Sequence, residues 1–254
     1  MFKLKIFALT VSLSILFYNL GNAQYTVKDT SLLTPMFYAS YALQFPGGDM
    51  VKRFGMNSNI GGGFQVKLRS NWVLGLDFNY LFGNNVKGET QLLQNISTSS
   101  GYIIDGNGEY ADVFLYERGF YASARVGYVI PVLSPNPNSG FFVYVSGGFL
   151  KHKIRIDNPN NTAPQLSDEY RLGYDHMTNG WGISEFVGYL YLGNQRLVSF
   201  FGGFEFNQAW TKCKRYNFDE MAKDESTHFD QLVGIKVGWI IPLYKRKPKG
   251  YYYN

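Results

Sequence analysis

The chain holds three histidines, His152, His176 and His228, and a histidine is the first thing an acyl-transfer site requires. A serine nucleophile needs an imidazole base beside its hydroxyl and a carboxylate to orient that base. No serine stands at a fixed short spacing from His152, and Ser184 and Glu185 have no placement relative to it, so the sequence assigns no catalytic residue. The stretch DGNGEYADVFLYE at 105–117 offers alternating oxygen ligands in Asp105, Asn107 and Glu109. A calcium loop wants glycine at its sixth position and glutamate at its twelfth. Those places hold Tyr110 and Tyr116, with Glu117 one position late, so a solvated turn is expected and neither metal nor cofactor is assigned. The run Gly61-Gly62-Gly63 lacks the following Lys-Ser/Thr of a phosphate cradle and reads as packing. Cys213 is the only cysteine, which excludes an internal disulfide.

A second group of chemically capable residues consists of ions set singly into apolar surroundings. Lys67, Asp77, Arg125, Glu185, Glu205 and Lys236 each fall within a segment that alternates large apolar residues with small or polar ones. In 72–83, Trp72, Leu74, Leu76, Phe78, Tyr80 and Phe82 share one face, and Gly75, Asp77 and Asn79 share the other. In 119–132, Phe120, Ala122, Ala124, Val126, Tyr128 and Ile130 oppose Tyr121, Ser123, Arg125 and Gly127. In 198–207, Val198, Phe200, Phe204 and Phe206 oppose Ser199, Phe201, Gly203, Glu205 and Asn207. In 233–241, Val233, Ile235, Val237, Trp239 and Ile241 oppose Gly234, Lys236 and Gly238. A period of two is the signature of strands with two unlike faces. Three cations can then meet three anions on the small-residue faces: Lys67, Arg125 and Lys236 with Asp77, Glu185 and Glu205. The parity of Glu185 is the least constrained, because both faces of 181–192 contain apolar residues.

Segments 35–45, 59–69, 140–156 and 181–192 complete a set of eight. The alternation in 140–156 slips near Gly147-Gly148, which predicts a bulge. Connections alternate in length: short at 70–71, 133–139 and 193–195, long at about 46–57, 84–118, 157–179 and 211–227. An even strand count, short and long connections in turn, and unlike faces predict an all-β fold: an eight-stranded antiparallel transmembrane β-barrel, an up-and-down meander with a filled lumen. Aromatics make up 18% of the chain against 17% charged residues, and no later apolar run is long enough for a membrane-spanning helix. The long loop 84–118 carries apolar side chains, among them Ile103, Ile104, Val113 and Phe114, and is expected to fold over the barrel mouth or to dock a partner.

The ends of the chain supply the compartment. Lys3 and Lys5 precede an apolar stretch from Ile6 to Tyr18, and Gly21-Asn22-Ala23 puts small residues at a cleavage site, so 1–23 reads as a secretory signal peptide. The barrel is expected over 24–244 and a basic, tyrosine-rich tail over 245–254. Removing Lys3 and Lys5 lowers the formal charge from +5 to +3, too mild a balance to argue for nucleic acid, and no nucleic-acid motif is present. VGYVIPV at 126–132 and VGWIIPL at 237–243 end two segments at prolines, where ladder pairing stops and a missing N–H matters least. Beyond them Lys245, Arg246, Lys247 and Lys249 form a candidate periplasmic contact. Both termini then face the periplasm.

In this pattern the chain resembles the OmpX/OmpA-type small outer-membrane barrels of Gram-negative bacteria. Its strand ends GYVIP and GWIIPLYKR, with the tyrosine tail, are similar to those of small Bacteroidota barrels, which include accessory subunits of outer-membrane assembly and secretion machines. The resemblance implies an outer-membrane location in contact with lipid and lipopolysaccharide, other outer-membrane or periplasmic proteins as partners, and a non-enzymatic, structural or accessory role. Two alternatives stay open at this point: a lipid A- or phospholipid-modifying acyl hydrolase, and a small-solute channel.

Overall fold

The computed structural model describes residues 30–159, 161–167, 169–193 and 198–243. The expected signal-peptide segment 1–23, the basic tail with Lys245, Arg246, Lys247 and Lys249, and most of the turn at 193–195 lie outside the described residues.

Each alternating segment forms a strand: β1 Thr34–Gly48, β2 Asn57–Lys67, β3 Trp72–Gly83, β4 Phe114–Ile130, β5 Gly140–Asp157, β6 Thr178–Leu192, β7 Ser199–Cys213 and β10 Thr227–Pro242. A two-residue hairpin, β8 Tyr216–Asn217 and β9 Ala222–Lys223, sits in the last long connection. Successive long strands pair antiparallel, and β1 closes on β10 with Met36 opposite Pro242 and Gly48 opposite Asp230. The result is a closed eight-stranded barrel in meander order. Toward the long loops the strands run further than the alternation predicts: β4 begins at Phe114, β7 ends at Cys213 and β10 begins at Thr227, which shortens the connections before β4 and before β10.

Short connections gather at one end of the barrel and long ones at the other. The β2–β3 turn closes through Leu68 N–H to Trp72 O at 2.7 Å, with Asn71 at φ 66°, a conformation asparagine tolerates better than most residues. Pro131 and Pro242 both fall at this short-turn end, as the repeated strand ends predicted.

The predicted bulge at Gly147-Gly148 is absent. Pairing through β5 is unbroken on both sides, with Gly147 opposite Ala124 and Ile183, and Gly148 opposite Ser123 and Gly182. Phe142, Tyr144, Ser146, Leu150, His152, Ile154 and Ile156 keep one parity and are buried. The apparent slip arose because apolar residues line the lumen above and below a polar middle, so hydrophobicity changes face while geometry does not.

The interior is layered. Toward the short turns, Met36, Tyr38, Val73, Val129, Phe142, Tyr144, Phe186, Leu190, Phe201 and Ile240 form one core. Tyr144 stacks on Phe186 at 4.8 Å between ring centroids, and Gly238 leaves the space Phe201 fills: a Cβ there would sit 2.1 Å from Phe201 Cε1. At the other end Met50, Phe54, Leu92, Leu93, Ile103, Leu166 and Tyr174 come down from the loops onto Leu81, Leu115, Ile154 and Ile156. The 84–113 connection therefore folds over the mouth, one of its two expected roles.

Candidate functional site

The polar middle of the lumen holds four of the six predicted ions. Arg125 on β4 reaches Asp77 on β3 through both carboxylate oxygens, Nε donating to Oδ2 at 2.6 Å and Nη2 to Oδ1. The same guanidinium donates to Gln65 Oε1 at 3.3 Å and to the Tyr38 hydroxyl. Two tyrosine rings flank it, Tyr144 at 4.2 Å and Tyr38 at 4.8 Å from Cζ to centroid. Bidentate pairing and ring stacking are contacts lysine cannot reproduce.

Glu205 on β7 anchors the second half. Lys236 Nζ donates to its Oε1 at 2.7 Å, and the Tyr144 hydroxyl donates to the same oxygen at 3.0 Å. Ser184 Oγ, at 3.4 Å, adds a longer contact, and Lys236 also reaches Asn79 Oδ1 at 3.4 Å. Tyr144 thus links the two ion pairs. Beside them lies a cavity of about 10 Å³, lined by residues including Gln44, Asn59, Asn79, Tyr121, Glu205 and Asn207, which is space for one water molecule.

Two predicted members belong elsewhere. Lys67 points inward and is fully buried, but its ladder partner is Val73, four residues from Asp77 and so about 13 Å away along the strand. It donates instead to Ser31 Oγ and Asn138 Oδ1, each at 3.1 Å, at the short-turn end. Glu185 faces outward and is exposed, between Val145 on β5 and Phe206 on β7. The inward residues of β6 are Ser184 and Phe186, because the lumen takes an aromatic side chain at a level where alternation alone suggested a small one. Three-with-three balance is therefore replaced by two cations with two anions.

Sequence reasoning missed a second buried polar layer nearer the loops. His152 Nε2 lies 2.9 Å from Asp230 Oδ2, and Thr211 Oγ1 donates to that oxygen at 2.6 Å. Thr178 Oγ1 is 3.3 Å from His152 Nδ1, and Arg53 Nη2 approaches Asp230 Oδ1 at 3.7 Å. Asn57 Nδ2 donates to both oxygens of Glu117 at 3.0 Å. Strand lengths carried the only available signal: extending the 233–241 alternation backward by two residues at a time passes Asp230's neighbours and turns Asp230 inward. His152 and Ser184 both point into the barrel, Ser184 toward Glu205, while Glu185 points out, so the three residues of the hydrolase alternative do not converge. Asp105 caps its own turn, its Oδ1 accepting the backbone N–H groups of Asn107 at 2.8 Å and Glu109 at 2.9 Å.

Outside, apart from Glu185 and Gln208, the wall is apolar between two aromatic rings. Near the long loops Phe78 stacks on Phe120, Phe120 meets Phe149, and Phe149 meets Trp181 edge-on. Near the short turns Trp72 meets Tyr128, Phe141 meets Tyr189, and Tyr191 meets Phe200. Between the rings stand residues such as Leu76, Val145, Val187, Phe204 and Ile235, with Leu76 65% exposed.

The chain is similar in structure to small outer-membrane barrels. Neisserial surface protein A aligns over 82% of this chain and 96% of its own, at 14% identity and a TM-score of 0.41. Ail, the attachment invasion locus protein of Yersinia pestis, aligns over 82% and 98%, at 8% identity and 0.38. A major outer membrane protein from Thermus thermophilus aligns over 81% and 99%, at 11% identity and 0.40. No protein-family profile matches the sequence, and no curated protein matches it.

Proposed function

We propose that the protein is a non-enzymatic outer-membrane barrel serving as a structural or accessory subunit of an outer-membrane protein assembly or secretion complex. The observation that carries the membrane part is the inversion of its faces. Paired ions and aromatics fill the inside, and a broad wall of exposed apolar residues between two aromatic rings forms the outside. Such a wall far exceeds the apolar patch a soluble monomer presents, and it fits a hydrocarbon layer about 25 Å deep bounded by two interfaces. In that reading the short turns and both termini face the periplasm, the long loops face outward, and lipid and lipopolysaccharide surround the wall.

The accessory part rests on where chemistry is accessible. Paired ions and aromatic side chains fill the lumen middle and the 84–113 connection packs over the mouth, which supports a barrel that does not transport. His152, Asp230 and Thr211 are buried beneath the loops. What the protein offers to other molecules is its wall, its loop surface and, in the periplasm, the basic stretch Lys245, Arg246, Lys247 and Lys249. Extraction from native membranes in mild detergent, followed by native mass spectrometry of the tagged chain, tests the proposal. A reproducible complex with another envelope protein is expected. A strictly monomeric barrel would overturn the accessory role, and a chain soluble without detergent would overturn the membrane location.

A further inference from the structure

The outer wall has one charged exception. The outward residues of β6 run Trp181, Ile183, Glu185, Val187, Tyr189, from one aromatic ring to the other. Glu185 stands four residues from each ring, about 13 Å along the strand in either direction at ~3.3 Å per residue. Its ladder neighbours are Val145 and Phe206, and its carboxylate has no hydrogen bond or ion pair among the described residues. The outward cations of the long strands, Arg118, Lys151, Lys153, Arg155 and Lys212, all lie beyond the aromatic ring on the long-loop side. An ionisable side chain held at mid-membrane against acyl chains is costly, and such residues mark contacts with a partner group.

We propose that the β5–β6–β7 wall is an intramembrane docking surface for a second transmembrane protein, which presents a lysine or arginine side chain to Glu185. This rests on the membrane and accessory reading above and places the partner on one face of the barrel. Charge complementarity selects the occupant. Lipid head groups carry their cations at the interfaces rather than at mid-wall. A second copy of this chain brings no outward cation at that level among the described residues. The surface beside Glu185 also has a shape that admits a neighbour. Gly147 and Ala124 lie side by side next to Ile183, and a Cβ on Gly147 would meet nothing within 4 Å. Gln208, opposite Ile183, adds a second outward polar group.

The test uses full-length protein in native membranes, with a photo-crosslinking residue at position 147 or 183 and, diametrically across the barrel, at Ile60 on β2. Crosslinks from 147 and 183 to one discrete transmembrane protein, and none from 60, are expected. Glu185→Leu, which suits the apolar wall and leaves the melting of the isolated barrel unchanged or raised, should lower the yield by about thirtyfold, the low end for removing one partner of a buried charge pair. Glu185→Lys together with an acidic substitution of the partner's cation should restore it. The proposal is overturned if the yield is unaffected by Glu185→Leu, if the product is two copies of this chain, or if only lipid adducts form. A partner captured from 60 instead of 147 and 183 would leave the accessory role standing and remove this placement. No protein adduct from any position, with no complex in native mass spectrometry, would remove both.

Discussion

Lys236 Nζ lies 2.7 Å from Glu205 Oε1 inside the barrel, on neighbouring strands, with both side chains almost completely shielded from solvent. Each ion is tolerable there because of the other. Removing the cation alone leaves a carboxylate buried among Tyr144, Ser184 and Gln44, so Lys236→Met should cost about 3–5 kcal/mol of unfolding free energy. The double change Lys236→Met with Glu205→Gln should recover much of it. Denaturant unfolding in micelles, followed by tryptophan fluorescence, measures both.

Arg125→Lys keeps the charge but gives up the two-oxygen grip on Asp77 and the stacking between Tyr38 and Tyr144. The lost contacts should lower stability by about 1–3 kcal/mol. A melting temperature equal to that of the unaltered protein would show that charge alone matters at this position.

Adjacent glycines on β5 should respond oppositely. A Cβ on Gly148 would sit 2.2 Å from Ala122 O, while one on Gly147 points into open space. Gly148→Ala should therefore destabilise by about 1–3 kcal/mol as β4 and β5 are forced apart. Gly147→Ala should stay within about 0.5 kcal/mol. Equal effects at both positions would contradict the unbroken register of β5.

In a planar bilayer the reconstituted protein should carry no steady ion current, because ion pairs and aromatic side chains fill the lumen and the loops cover the mouth. A stable unitary conductance at modest voltage would contradict the filled lumen.

The Asp105 turn predicts a pH response in the loops. The backbone N–H of Glu109, with that of Asn107, holds the Asp105 carboxyl below the ordinary aspartate value. The folded value is depressed, so the turn is supported at pH above the unfolded value and loses that support as pH falls through the folded one. The Asn107 and Glu109 amide resonances should shift together at acid pH, with a midpoint below that of an unstructured aspartate. Asp105→Ala should abolish the shift.

The period of two in 72–83, 119–132 and 233–241 was enough to turn Asp77, Arg125 and Lys236 inward, because side-chain alternation along a strand is a local property of the backbone. The prolines at 131 and 242 and the unequal loops told which strand ends lie together for the same reason. Local alternation failed on β6, where Phe186 inside and Ile183 and Val187 outside are all apolar, and it was the filled lumen that decided Glu185 for the outer wall. It failed on β5, where inward Phe142 and Tyr144 mimicked a bulge. Which of these ions meet is settled by the register between neighbouring strands: it carries Lys67 away from Asp77 and brings Arg125 to it. His152 and Asp230, 78 residues apart on strands that are not neighbours, meet only because the sheet curls shut. The sequence by itself determined the strands, the two faces of most of them and a meander; only the closed tertiary structure decided the partners that meet across the lumen and the outward face of Glu185, since both depend on how the lumen is filled, which no local pattern encodes.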